Sequence, residues 1–152
     1  MKKYLTGIVL LFIMQFSYSQ ILIDEGGLYY DDNNELFTGT YIEFFENGNK
    51  KTEIELLVGK KDGKAIVYFE NGEINEIRSY KNGLKNGLWE TWSQDKVKTA
   101  EANFKDNLKH GKWIIWDNNG IKRCEMNYIE GKKSGIWYIW NESGELIDQK
   151  EY

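Results

Sequence analysis

The chain has 152 residues, a net charge of −4, 41% hydrophobic and 15% aromatic residues, 15 glycines and no proline. This length suits one domain or a short repeat array. The acidic balance argues against an electrostatic nucleic-acid interface, and the single cysteine and single histidine exclude an internal disulfide, a cysteine-clustered zinc site and a two-histidine metal site.

The first nineteen residues have the pattern of a secretory signal peptide. Lys2-Lys3 is a positive n-region, residues 5–16 are mostly apolar and short for a membrane span, and small residues at Ser17 and Ser19 precede a cleavage site before Gln20. We therefore expect an exported protein that is periplasmic, on the outer surface or secreted. Its mature chain has 18 basic and 24 acidic groups, a net charge of −6, which disfavours binding to anionic membranes. The alternative is an uncleaved anchor or a buried strand.

A period of 24 residues runs through the rest of the chain. Glycine recurs without exception at Gly39, Gly63, Gly87, Gly111 and Gly135. Two positions after each glycine stand Tyr41, Ala65, Trp89, Trp113 and Trp137. Five positions after each glycine stand the aromatic residues Phe44, Tyr68, Trp92, Trp116 and Trp140. Seventeen positions after each glycine stand Leu56, Tyr80, Phe104, Tyr128 and Tyr152. Several columns in one register indicate a repeat architecture.

Each unit is predicted to be a β-hairpin with two different corners. The dipeptides Asn47-Gly48, Asn71-Gly72 and Asn119-Gly120 favour a two-residue type I′ turn at the first corner, whereas Asp95-Lys96 predicts a different turn in the third unit. At the second corner two glycines flank a polar tip, as in Gly83–Gly87, which predicts a looser connection. The fold class is therefore an all-β, elongated, solenoid-like antiparallel meander.

The expected organisation is a signal peptide, a cap and five repeats. The N-terminal capping hairpin covers residues 20–38, with strands at Leu28–Tyr30 and Glu35–Phe37, because an end unit has a neighbour on one side only. The signal peptide and the repeats occupy residues 1–19, 39–62, 63–86, 87–110, 111–134 and 135–152.

These units resemble the MORN-repeat family and, more closely, its bacterial variant. The pattern Gly-x-Trp-x-x-Tyr/Trp-x-x-Asn-Gly, followed by a strand that ends in Tyr-x-x-Gly, is carried by residues 111–120 and Tyr128–Gly131. The resemblance covers about residues 28–152. It implies a twisted antiparallel sheet, protein–protein scaffolding, sometimes attributed lipid contact and, for some bacterial members, an antitoxin-like role. The chain departs from the pattern at Ala65, Lys96 and Asn107.

The columns two and five positions after the glycine are expected on opposite sheet faces, because strand side chains alternate. The predicted core face holds Trp89, Trp113, Trp137, Ile115, Ile139, Ala102, Met126, Phe104 and Tyr128. The other face holds an aromatic ladder (Phe44, Tyr68, Trp92, Trp116 and Trp140) rimmed by Glu53, Glu101 and Glu125. This ladder is the candidate binding surface for a protein or a sugar chain. The alternative is a bulge or curl that buries both columns.

No catalytic site is predicted. Cys124 is expected to face the core, and the only candidate base for it, His110, lies in a corner loop. Residues 31–35 lack the spacing of a calcium loop and predict a solvated turn. We therefore expect a non-catalytic binding or scaffold module with a protein partner and with no metal, cofactor or nucleic acid. The alternatives are a carbohydrate- or envelope-binding module and an antitoxin- or immunity-like partner protein.

Overall fold

The computed structural model describes residues 21–24 and 26–152. The predicted signal peptide therefore lies outside the described residues. The strands are β1 (Leu22–Ile23), β2 (Tyr29–Tyr30), β3 (Gly39–Phe44), β4 (Lys50–Leu57), β5 (Lys60–Tyr68), β6 (Ile74–Lys81), β7 (Leu84–Trp92), β8 (Lys98–Lys105), β9 (Leu108–Trp116), β10 (Lys122–Ile129), β11 (Lys132–Trp140) and β12 (Leu146–Glu151).

Strands β3–β12 form one open sheet in which every strand pairs antiparallel with its neighbours in sequence. The predicted all-β meander of hairpins is therefore confirmed. The predicted register is also correct, since Tyr41 lies opposite Ile54 and Glu43 lies opposite Thr52. Across the described residues, no helix has the length and apolar character needed to cross a membrane.

The first corner of each unit is not the predicted type I′ turn. In the first unit the Gly48 N–H donates to the Phe45 carbonyl, and Gly48 has a φ of 85° while Asn47 is not left-handed. A type I′ turn needs positive φ at both central residues, so this corner is instead a three-residue loop that ends in a left-handed residue. The same N–H to carbonyl bond closes the other four units, at Phe69–Gly72, Ser93–Lys96, Asp117–Gly120 and Asn141–Gly144.

The prediction of a different turn in the third unit is wrong for the same reason. Lys96 takes the place of the glycine, with a φ of 62°, and its N–H donates to the Ser93 carbonyl as in the other units. Its ammonium group lies 3.0 Å from a carboxylate oxygen of Glu73. A lysine thus holds a backbone conformation that four other units assign to glycine.

We expect Lys96→Gly to raise the free energy of unfolding by about 0.5–1 kcal/mol. The left-handed backbone conformation costs an L-residue about 1–2 kcal/mol, and glycine adopts it without this cost. Loss of the exposed ion pair with Glu73 offsets about 0.2–1 kcal/mol of that gain. Urea titration of the two proteins measures the difference. Glu73→Gln, which removes the ion pair alone, is the control, and a Lys96→Gly protein less stable than Glu73→Gln would contradict the backbone argument.

The tight type I′ turns lie at the second corner, where a looser connection was predicted. In each of these two-residue turns both central residues have positive φ. The turns are Val58-Gly59, Asn82-Gly83, Asp106-Asn107 and Glu130-Gly131. The glycine four positions after the turn glycine is not part of the turn. Gly63, with a φ of 108°, lies in a β-bulge of β5 opposite Glu55.

The N-terminal segment packs on one face of the first two units. Strand β2 pairs with β1. The predicted second strand of the capping hairpin, Glu35–Phe37, is reduced to a single antiparallel bridge between Tyr30 and Leu36. Tyr29 is 5% exposed and packs with Ile54, Leu56 and Ala65. The small side chain of Ala65, a departure from the tryptophan of later units, leaves room for this contact.

Candidate functional site: the two faces of the sheet

Aromatic rings form a continuous row along one face of the sheet, which we call the row face. The ring row consists of Tyr80, Trp89, Phe104, Trp113, Tyr128, Trp137 and Tyr152, with neighbouring ring centroids 4.7–5.4 Å apart. The indole N–H groups of Trp89, Trp113 and Trp137 each donate to a carbonyl of the preceding strand. Ring contacts and these bonds fix the row against its own sheet.

The predicted core face is the row face, but it is not a covered core. Met126 and Tyr128 are buried, whereas Ile115 is 43% and Ile139 is 41% exposed, so these two isoleucines were wrongly expected to be buried. The cause is the architecture, because no second layer of secondary structure lies over β7–β11 in the described residues. Most domains bury such a face under a second layer.

The ladder lies on the opposite face, which we call the ladder face. Ladder residue Trp92 pairs with Lys98, and the Lys98 ammonium group contacts Glu90, so these side chains share one face. Glu90 directly follows Trp89 in β7, so the two point to opposite faces, and Trp89 belongs to the row face. The alternative in which both aromatic columns share one face is therefore wrong. Phe44 is 52% exposed, and the other four ladder side chains are half-buried.

The charges on the ladder face are largely paired. The Lys98 ammonium group lies 2.5 Å from Glu90 and 2.7 Å from Glu101. Glu125 accepts bonds from Lys112 at 2.7 Å and from Lys122 at 2.8 Å, and these two lysines hold the pKa of its carboxyl below the usual range. The predicted rim of carboxylates is present, but lysines neutralise much of it.

A shallow groove interrupts the ladder face beside Trp92. Its volume is about 270 Å³, and it is lined by Glu73, Ile74, Trp92 and Lys96. At the equivalent place beside Trp140, the Lys122 ammonium group lies 5.0 Å from the ring centroid. The groove thus opens where isoleucine replaces the lysine of the later unit.

The row face also carries a column of lysines that the aromatic repeat pattern did not predict. Lys85, Lys109 and Lys133 each place the ammonium group 4.4–4.6 Å from the centroid of the tryptophan four residues later. Within the described residues none of the three forms an ion pair, unlike Lys50, Lys98 and Lys112 of the ladder face. Lys61 belongs to the same column, and burial, with the Arg78 charge second, lowers its pKa. The 24-residue spacing of these lysines is the signal that could have identified them.

The remaining candidates do not assemble a reactive site. Cys124 pairs with Ile115, which is five residues from His110 along β9, so the backbones of Cys124 and His110 are separated by about 16 Å along the strand direction, at roughly 3.3 Å per residue. Asp31 forms a turn in which its carboxylate accepts the N–H groups of Asn33 and Glu35. Within the described residues no group of three His, Cys, Asp or Glu side chains is placed to hold a metal ion.

Cys124 is half-buried, and burial raises the pKa of its thiol. The thiolate is the reactive form, so we expect slow labelling by a maleimide at neutral pH and a rate that rises only above the pH at which a free thiol titrates. Stopped-flow labelling against free cysteine from pH 6 to 10 measures this. A rate equal to that of free cysteine at pH 7 would contradict it.

Comparison with known proteins agrees with the periodicity and the fold. The family model described as the MORN repeat variant matches residues 37–56, 61–82 and 109–130, which are three of the hairpin units. No curated protein matches the chain. MORN repeats are generally protein- or membrane-binding modules, and the family is typically non-catalytic. Three of the hairpin units of this chain therefore match the MORN repeat variant.

Proposed function

We propose that the protein is an exported, non-catalytic module that binds a partner protein or acts as a scaffold through the faces of its repeat sheet. The observation that carries this proposal is the single layer: ten strands form one sheet with large apolar side chains exposed along it, such as Phe44, Leu88 and Ile139. Extended exposed apolar surface marks interaction sites more often than not.

The ladder is the proposed contact surface. Tryptophan and tyrosine are enriched at binding hot spots because they offer a large apolar area together with a polar group. Four of the five ladder positions hold these residues, and the ladder recurs at every second strand, about 9.5 Å apart by the usual strand spacing. A partner that crosses the strands would meet one ring in each unit.

Export is proposed from the sequence alone. The basic n-region, the apolar stretch and the small residues before Gln20 are the support. Mass spectrometry of the protein from its native host is the test. A mature N-terminus at or near Gln20 is expected, and a chain that still begins at Met1 would overturn export.

Partner binding is tested by capture from the periplasmic and secreted fractions of the native host. The expected result is a specific protein that is retained by the native chain and lost with Trp92→Ala/Trp116→Ala. Val58→Ala, which shortens an exposed side chain at a turn, is the matched control and should retain the partner. Failure to retain any protein, or equal retention by all three chains, would overturn the proposal.

A carbohydrate-binding role is the second candidate, and the groove beside Trp92 favours it. A half-buried indole next to the Glu73–Lys96 pair offers a sugar an apolar ring face and polar groups at its edge. A glycan array with the native chain and Trp92→Ala is the test. Selective binding that disappears in the variant would support this role, and an array without selective binding would exclude it.

A further inference from the structure

We infer that the row face is a second interaction surface, and that it receives an amphipathic helix of a partner protein with acidic side chains seven residues apart. The inference rests on the proposed role in protein binding and specifies the chemistry of one partner. It concerns the face opposite the ladder, so the two surfaces can be tested separately.

The first support is the distribution of charge. The chain is acidic overall, yet the side chains that the strand register places on the row face of β7–β11 include no Asp or Glu. The lysines there, Lys85, Lys109 and Lys133, form no ion pair with any described residue. A line of unpaired cations on one face of an acidic protein is complementary to carboxylates supplied by another molecule.

The second support is spacing. Lys85, Lys109 and Lys133 lie near the start of β7, β9 and β11, so consecutive lysines are two strands apart, about 9.5 Å. Two turns of an α-helix advance about 10.8 Å, which brings side chains seven residues apart onto one line. A helix of about 15 residues lying across the strands therefore presents three carboxylates to three lysines.

The third support is what lies beside the lysines. Trp89, Trp113 and Trp137 follow them on the same strands, and Ile115 and Ile139 beyond are 43% and 41% exposed. An amphipathic helix places an apolar stripe next to its charged stripe, which matches this order of apolar and basic side chains. The lysines above the ring faces and the close ring-to-ring packing leave no gap for a stacked nucleic-acid base. A helical protein segment therefore fits better than a single-stranded nucleic acid.

The test uses a synthetic 21-residue helical peptide with three glutamates spaced by seven residues beside a leucine stripe, and a scrambled peptide of the same composition. Binding to the native chain is measured by fluorescence anisotropy. We expect the striped peptide to bind and the charge reversal K85E/K109E/K133E to weaken binding at least tenfold. The control K81E/K105E/K132E makes the same charge change on exposed lysines at the same ends of the strands, on the ladder face, and should change affinity less than twofold.

A second variant, K85Q/K109Q/K133Q, removes the charges without reversing them, so the experiment stands even if the reversal variant fails to fold. Rising salt should weaken binding of the striped peptide, since partly exposed charges are screened. Equal binding of the scrambled peptide, of oligothymidylate, of polygalacturonate or of phosphatidylglycerol vesicles would overturn the inference, as would equal loss in the control. Failure of the striped peptide to bind the native chain would overturn the inference while leaving the proposed function intact, because that function is tested separately at the ladder.

Discussion

Trp113→Ala is expected to lower the free energy of unfolding by about 3 kcal/mol, whereas Trp116→Ala should cost about 1 kcal/mol. The two tryptophans lie three residues apart on β9 and point to opposite faces. The two residues therefore lie on the same strand and at the same distance from the edge strands of the sheet. They differ in the side chains that surround each ring.

The difference in expected cost follows from the contacts of Trp113. Its ring lies 5.1 Å from Phe104 and 5.4 Å from Tyr128, and its indole N–H donates to the Asn103 carbonyl at 2.9 Å. Alanine would remove both ring contacts and leave the carbonyl without this donor. Within the described residues Trp116 has no aromatic neighbour at stacking distance and no hydrogen bond from its indole.

Urea unfolding followed by circular dichroism measures both variants, and the slope with denaturant checks that one cooperative transition is being compared. Trp116→Ala with a loss equal to or greater than that of Trp113→Ala would show that the ladder, rather than the ring row, holds the repeats together. It would also remove the ladder as a candidate surface for binding, because a structural role alone would then account for its aromatic residues.

The register of the sheet was predictable from the sequence, although the turn chemistry was not. The pairing of Tyr41 with Ile54 depends on where the first corner lies in the unit, which Asn47-Gly48 marks, and the 24-residue period repeats that pairing in the later units. A left-handed Gly48 suits both a type I′ turn and a three-residue loop, so the dipeptide Asn47-Gly48 does not distinguish them. The type I′ turn at Val58-Gly59 places a β-branched residue at a φ of 48°, against its own preference. The pairing of β4 with β5, which this turn connects, outweighs the unfavourable backbone conformation of Val58.

The candidate site was only partly predictable, because burial here depends on contacts between distant segments. The ladder and the ring row were correctly separated by strand alternation. The exposure of Ile139 was missed, since periodicity alone does not reveal that a sheet lacks a second layer. Ala65 was recognised as a departure from the pattern, but its cause is the packing of Tyr29, more than thirty residues earlier in the chain.

Deleting residues 87–110 is expected to leave a folded β protein that is less stable by about 1–4 kcal/mol, the usual stability per residue applied to one unit. The deletion joins Asn86 to Gly111, which reproduces the present junction of Asn86 with Gly87. Tyr80 would then meet Trp113 as it now meets Trp89 at 5.4 Å, so the ring row closes over the gap. In a linear array each unit contacts only its neighbours, and removing one unit removes one interface.

Deletion of residues 87–98 is the matched control, because it removes half a unit. The chain would then enter the later strands in the reversed direction, so the register and the ring row would be broken at the junction between β6 and the later units. Circular dichroism and urea titration of both proteins separate the outcomes: a cooperative transition is expected for the full-unit deletion and none for the half-unit deletion. If the full-unit deletion unfolded the chain, stability would have to come from cooperation across the whole sheet, with the N-terminal packing of Tyr29 on Leu56 and Ala65 as its centre. If both deletions folded equally well, the phase of the repeat would carry no structural information.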